Sequence, residues 1–540
     1  MSFETRNRDI LARIGRFRTK SGAFETPALL PVINPKIQPI SPEEMRTEFN
    51  CEALITNAYI IRKHFENEAI EKSIHGILGF NGAVMTDSGA YQILVYGKDV
   101  KITNKEMVQY QERIDADIAT ILDMPTGWKV APQYARNTVQ ETLKRARELA
   151  KIKSRDDIAW VGPVQGGSYL NLVAQSAKNI GKLPFQIHAL GSPTPIMEQY
   201  LFNTLVNMIM TTKMNLPVER PLHLFGAGHP FMFALAVALG CDLFDSAAYA
   251  LFARENRYMT ETGTSRLREL EYFPCSCPVC TKTTPENVKA LSKMERQTFL
   301  AKHNLHICFS EIKRIKQAII EGRLWEHLEI RAHSHPALLR ALKELTKYSK
   351  YFEENSPTTK NKGLFFFNSV GLCRPEIVRH RERLSHRYSP PKNAKVLVML
   401  PQSLSKPFHK SREHKEALKH TKKNLFTNMS GIHVCTYAAP FGVIPNELDE
   451  VYPLSQHETT IPIDTDTIKY VAEQVANYIV QRNLQKVILV EDVKTWHEKI
   501  TQACKQACKK KKISLTVLPT EDSWSRAISG KHNETVTGRT

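Results

Sequence analysis

The sequence predicts an α/β protein: a (β/α)8 TIM barrel with a cysteine-rich insertion, followed by a C-terminal α/β region. Three observations lead there. Eight short apolar runs, with helical patterns between them, fill a span close to the roughly 250 residues of such a barrel. Polar or glycine-rich signatures follow the ends of these runs, and a tight group of cysteines comes after the last one.

The runs lie at 28–33, 53–56, 83–86, 118–122, 160–164, 185–190, 222–225 and 243–244. Each is short enough to be a strand buried on both faces, as a parallel sheet requires. Residues 106–114 and 136–151 carry helical periodicity between them. The signatures Asp87-Ser88-Gly89, Asp123, Gln165-Gly166-Gly167, Gly191, Gly226-Ala227-Gly228 and Asp245 stand at the C-terminal ends of runs. In a barrel those ends converge on one face, and active sites are built there. A doubly wound sheet is the competing architecture, but no G-x-G-x-x-G follows the first run.

The insertion, 273–303, contains Cys275-x-Cys277-x2-Cys280 and ends, after 22 intervening residues, at His303. Three thiolates and one imidazole form a closed tetrahedral set, the pattern of structural zinc, which leaves no coordination position for chemistry. His306 is a rival fourth ligand. A charged helix is expected at about 310–321 and a polar linker at 346–362. Beyond it, 396–400, 432–437, 487–491 and 515–518 read as buried strands of a second α/β region, in one or two small lobes. The domain reading is a barrel at 1–345 that includes the zinc subdomain 273–303, a C-terminal region at 346–520, and a loose tail at 521–540.

A chain of 540 residues is too long for a single small core. Hydrophobic residues at 42% and charged residues at 24% exclude a disordered protein. Lys plus Arg number 74 against 55 acidic residues, and a net charge of +19 favours a polyanionic partner; plain solubility is the bland alternative. No run of about twenty apolar residues occurs, and the polar N-terminus has no signal-peptide core, so no membrane association is expected. The chain has ten cysteines, and most of those outside the insertion are scattered, which fits a reduced, cytoplasmic protein better than a disulfide framework. Cys504 and Cys508, four apart on one helical stretch, have no partner pair for a metal. The run Lys509–Lys512, near Lys505, suits RNA phosphates or a solvated helix end equally.

The motifs as a set resemble the tRNA-guanine transglycosylases. They are Met85-Thr86-Asp87-Ser88-Gly89-Ala90-Tyr91-Gln92, Val164-Gln165-Gly166-Gly167, Leu243-Phe244-Asp245-Ser246 and Cys275-Ser276-Cys277-Pro278-Val279-Cys280. Leu224-Phe225-Gly226-Ala227-Gly228-His229-Pro230 and Arg257-Tyr258-Met259-Thr260 are similar to the archaeal branch. That branch exchanges a D-arm guanine, at position 15 of tRNA, for 7-cyano-7-deazaguanine (preQ0). The resemblance is strong over residues 1–345 and weaker beyond.

Breaking a ribose C1′–N9 bond makes a cationic centre, which a carboxylate can attack or stabilise while a second one moves protons. The resemblance makes Asp245 the nucleophile and Asp87 the general acid/base. It assigns base recognition to Asp123, Gln165 and the N–H of Gly191, with Ser88 lining the pocket and Tyr91 and Phe225 sandwiching the ring. Simpler readings stand beside these: a helix cap for Asp245, a turn residue for Asp87, barrel core for Phe225. Gly191-Ser192 departs from the two glycines that many relatives carry. The implied partners are tRNA, guanine and preQ0, with a homodimer expected. No copy of the small RNA-binding PUA module of archaeal relatives is legible, so its usual grip on the acceptor stem is not expected here unless a separate polypeptide supplies it. A paralogue that modifies the inserted base, or a tRNA-binding subunit without catalysis, are the competing functions.

Overall fold

The computed structural model describes residues 2–90, 102–425 and 431–519. The chain divides into two compact units, Met1–Tyr348 and Ser349–Thr540.

The first unit opens with an antiparallel sheet of β1 (Ser2–Asp9), β2 (Ala12–Arg18) and β3 (Ala23–Thr26). A closed parallel barrel follows: β4 (Ala28–Ile33), β5 (Ala53–Asn57), β6 (Ala83–Asp87), β7 (Ile118–Thr120), β8 (Ala159–Val164), β9 (Ile187–Leu190), β10 (Leu222–Leu224) and β11 (Leu243–Ser246). All eight coincide with the apolar runs, because helices outside and side chains inside leave neither face for polar residues. The 106–114 and 136–151 patterns are the helices Asn104–Arg113 and Pro132–Ile152.

Alternation along each strand sorts its side chains. Ala53 and Ile55, Ala83 and Met85, Ala159 and Val161, Ile187 and Ala189, with Leu30, Ile118 and Leu243, pack into one barrel-lining cluster. Phe17 and Phe24 of the N-terminal sheet belong to that cluster. They meet residues at the starts of the strands, so the sheet plugs the floor of the barrel. Beside it the buried Arg13 guanidinium grips Asp242 through Nε (2.8 Å) and Nη2 (2.9 Å). With the floor sealed, the open end is the one the C-terminal strand ends surround.

After β11 comes a hairpin of β12 (Arg257–Met259) and β13 (Thr264–Arg266), and then the cysteine insertion. The charged helix expected from about 310 begins much earlier, at Lys293, and runs to Glu321. Ser292 caps it, accepting from the Glu295 N–H while the Glu295 carboxylate reaches back to the Ser292 N–H. His303 therefore sits on a long helix. The polar segment expected as a linker at 346–362 is partly helical as well, at Ser349–Asn355.

The second unit holds a five-stranded sheet of order β17-β16-β15-β19-β20: β15 (Val396–Pro401), β16 (Ile432–Ala438), β17 (Gly442–Pro445), β19 (Lys486–Glu491) and β20 (Ser514–Pro519). Only the edge strand β17 is antiparallel. A smaller pair joins β14 (Leu364–Phe366) to β18 (His457–Thr459). Cys504 and Cys508 lie on the helix Lys499–Lys511 and are buried among Trp496, Val475 and Ile479, as core residues. Lys509, Lys510 and Lys511 occupy the exposed last turn of that helix, where a cation suits the dipole. The tail at 521–540 lies outside the described residues. No described helix is long and apolar enough to cross a membrane.

Candidate active site

The alternation that lines the barrel also aims the residues at its mouth. Asp87 continues the inward face of Ala83 and Met85, and Asp245 that of Leu243. Gln165 continues Ala159 and Val161, Gly191 continues Ile187 and Ala189. His223 pairs in register with the inward Ala189, and Phe225 follows it by two. Five strands thus deliver these residues to one rim.

Asp245 is held by one oxygen. Its Oδ1 accepts from His223 Nε2 (2.9 Å) and from the Gly226 N–H (2.9 Å), and among the described residues Oδ2 has no partner. A carboxylate only accepts, so His223 carries its hydrogen on Nε2; Nδ1 is buried and unpaired among the described residues. This leaves a carboxylate fixed in orientation with one oxygen free to react.

Asp87 Oδ2 accepts from Asn57 Nδ2 at 3.0 Å. Burial, and then the negative charges of Asp123 and Asp245, push its carboxyl up to about 7, against weaker help from the Gly89 and Ser88 N–H groups. Gly89 is required here: its φ is +87°, and a Cβ would lie 2.5 Å from that of Tyr59. The buried Ser88 hydroxyl has no partner among the described residues, so it is available to a ligand.

Asp123 is buried just beyond β7. Burial raises its carboxyl to about 6, against the Gln165 hydrogen bond and the Arg145 charge, which favour ionisation. Gln165 Nε2 donates to Asp123 Oδ2 at 2.6 Å. Gln165 Oε1 accepts from the Thr126 N–H (3.0 Å), the Thr126 hydroxyl (3.1 Å) and the Ser192 hydroxyl (3.1 Å). The amide is thus held at both ends, with one Nε2 hydrogen left over. Gly191 makes room for it, since a Cβ there would sit 2.2 Å from Gln165 Nε2.

The Gly191 N–H donates to the Val164 carbonyl at 2.9 Å, extending the β8–β9 ladder. The half-buried Phe225 ring lies 4.6 Å from the His223 ring and packs against the barrel lining, one flat face of the candidate pocket. Tyr91 lies outside the described residues. His223, Thr126 and Ser192 escaped the sequence reading; a histidine on the inward face of an otherwise apolar strand was the one available signal.

The insertion forms a second centre. Ligand atoms of Cys275, Cys277, Cys280 and His303 lie within 4.8 Å of one another, a set that could hold a metal ion. His303 Nδ1 is 3.2 Å from Cys280 Sγ and 3.6 Å from Cys277 Sγ. Its Nε2 donates to the Met259 carbonyl at 2.8 Å, which leaves the Nδ1 lone pair toward the sulfurs. The Tyr258 ring stacks on the imidazole at 3.5 Å. His306, the rival ligand, instead packs its ring 4.3 Å from that of Phe49.

Comparison with known proteins agrees with this geometry. A family model described as queuine tRNA-ribosyltransferase matches residues 9–337, and a model of a domain of unknown function matches residues 377–529. The tRNA-guanine(15) transglycosylase of Saccharolobus solfataricus is 43% identical over 90% of this chain and 96% of its own length. That of Pyrobaculum aerophilum is 43% identical over 85% and 90%. That of Methanocaldococcus jannaschii is 43% identical over 85% of this chain and 68% of its own. A match over most of the barrel, and relatives this similar along nearly their whole length, make the chain a member of the tRNA-guanine transglycosylase family.

Proposed function

We propose that this chain exchanges guanine 15 of tRNA for preQ0 through a covalent glycosyl-enzyme intermediate, with the chemistry in the barrel, residues 1–345. The observation that carries the reading is Asp245, one oxygen held by His223 and Gly226 and the other without a partner among the described residues, across the barrel mouth from a carboxyl raised to about 7. The free oxygen of Asp245 attacks ribose C1′ and the C1′–N9 bond breaks. Protonated Asp87 gives its proton to the departing guanine, and a glycosyl ester on Asp245 remains. The incoming base loses its N9 proton to Asp87 as N9 attacks C1′, and the ester bond breaks to restore the carboxylate. Microscopic reversibility lets one residue serve both directions, and a pKa near 7 suits it to both.

The pocket reads the base by complementary edges. Ionised Asp123 accepts from N1–H and the exocyclic amino group, and the remaining Gln165 Nε2 hydrogen meets O6. Phe225 supports the ring face, and Ser88 offers its hydroxyl, unpaired among the described residues. Cys275, Cys277, Cys280 and His303 hold one zinc ion, whose four protein ligands leave it a structural part of the insertion.

The test is exchange of labelled guanine into tRNA, with a denaturing gel for the covalent adduct. The parent should give both, and Asp245→Ala neither, while tRNA binding survives. A variant within tenfold of the parent, or a parent that binds tRNA without exchange, would overturn the reading.

A further inference from the structure

The loop between β9 and the next helix carries a residue whose backbone works against it. Ser192 has φ +62°, the left-handed region that favours glycine, and Pro193 follows directly. Its side chain shows what offsets that disadvantage. Ser192 Oγ lies 3.0 Å from the Thr126 N–H, 3.4 Å from the Gly127 N–H and 3.1 Å from Gln165 Oε1.

The direction of these bonds follows from the partners. The two backbone groups can only donate, so the hydroxyl accepts from both, and its single proton goes to Gln165 Oε1. The other hydroxyl at that oxygen, Thr126, has an alternative, because it also lies 2.9 Å from Thr138 Oγ1. Of the two hydroxyls at the amide, Ser192 alone is committed to its oxygen end. Rotating the amide by half a turn would set its NH2 against the Ser192 proton and the Thr126 N–H, and its oxygen against the Asp123 carboxylate.

We propose that Ser192 is a positioning residue that acts with the Thr126 N–H and the Asp123 carboxylate to hold the Gln165 amide with its nitrogen toward the base, and so strengthens the preference for an oxo group over an amino group at C6. The proposal rests on the base-exchange reading above. Ser192 touches no reacting atom; it acts through Gln165. A locked Nε2 offers only a hydrogen, so a guanine-type O6 is accepted and a 6-amino group meets a second donor.

Two variants separate the hydroxyl from the backbone. Ser192→Ala keeps the Cβ and loses the hydroxyl; Ser192→Gly loses the hydroxyl and relieves the left-handed conformation, so its melting temperature should match or exceed the parent's. The measurements are kcat and KM for labelled guanine exchange, the inhibition constant of 2,6-diaminopurine, and thermal melting. Both variants should raise KM for guanine about tenfold, the worth of one hydrogen bond, and inhibit more readily with 2,6-diaminopurine relative to guanine, with kcat within about twofold. KM within twofold of the parent in both variants, or a KM rise confined to a variant that melts lower, overturns the proposal. A parent that exchanges no guanine overturns the exchange reading and this proposal with it, whereas an active parent with unaffected variants overturns this proposal alone.

Discussion

Asp87→Asn should make the protein more stable in alkaline solution while removing the proposed acid/base group. The carboxyl rises from an ordinary 3.8 to about 7, mainly through burial and next through the charges of Asp123 and Asp245. At about 1.4 kcal/mol per pKa unit, keeping it ionised in the fold costs about 4 kcal/mol. The sign follows from proton binding. Between about pH 4 and pH 7 the folded chain keeps this proton and the unfolded chain has released it, so stability falls as pH rises through that window. Asparagine never ionises and escapes this cost. Its NH2 must, however, fit among donors, Asn57 Nδ2 and the Ser88 and Gly89 N–H groups, and one mismatch costs about 1–2 kcal/mol. The net gain at pH 8.5 is then about 2 kcal/mol, or about 3 °C of melting temperature for a unit of this size. At pH 5, where Asp87 is already protonated, the variant should match the parent or melt lower. Melting of both proteins at the two pH values is the assay, with guanine exchange in parallel. A gain equal at both pH values, or none at pH 8.5, would show that Asp87 carries no raised pKa.

Gly191→Ala should cut the specificity constant for guanine by about tenfold or more, because its Cβ, 2.2 Å from Gln165 Nε2, displaces the amide from Asp123 and from the base; kinetics within twofold of the parent would refute that packing argument. For the metal centre, Cys277→Ser should lose bound zinc and lower the melting temperature, since a structural ion contributes folding free energy directly. His306→Ala should keep a full equivalent of zinc by elemental analysis, because its ring packs on Phe49; loss of zinc there, or retention in Cys277→Ser, would mean the ligand set is wrong.

The barrel was legible because its strands are buried on both faces and read as unbroken apolar runs. The N-terminal sheet was not. Ser2–Asp9 is mostly exposed and charged, so its strand character lies in its pairing with β2 and not in its composition. The helix at Lys293–Glu321 was truncated in the reading because its first half shares residues with the cysteine insertion, although Ser292 and Glu295 spell a capping box. At the site, Asp87, Asp123, Gln165 and Asp245 were legible as polar residues closing apolar strands. The residues that orient them were not. Ser192 is 66 positions from Thr126, His223 is 22 from Asp245, and only strand register brings them together. His303 and His306 sit three apart on one helix, so spacing could not choose between them; the direction of each ring did.

Three carboxylates of one chemical type share this barrel mouth, and their neighbours drive them toward different work. Asp245 has a histidine N–H and a backbone N–H on one oxygen, which orients the other for the attack proposed above. Asp123 is buried yet accepts from an amide and feels Arg145, so its carboxyl rises only to about 6, which suits the base-edge contact proposed above. Among the described residues Asp87 has an asparagine and two backbone groups against burial and the other two charges, and its carboxyl is raised to about 7. In the proposed mechanism, the same crowding that makes Asp87 costly to ionise would let it give up a proton in one half of an exchange and recover one in the other. Relieving that crowding would stabilise the fold and weaken the chemistry together, because both rest on the same interaction.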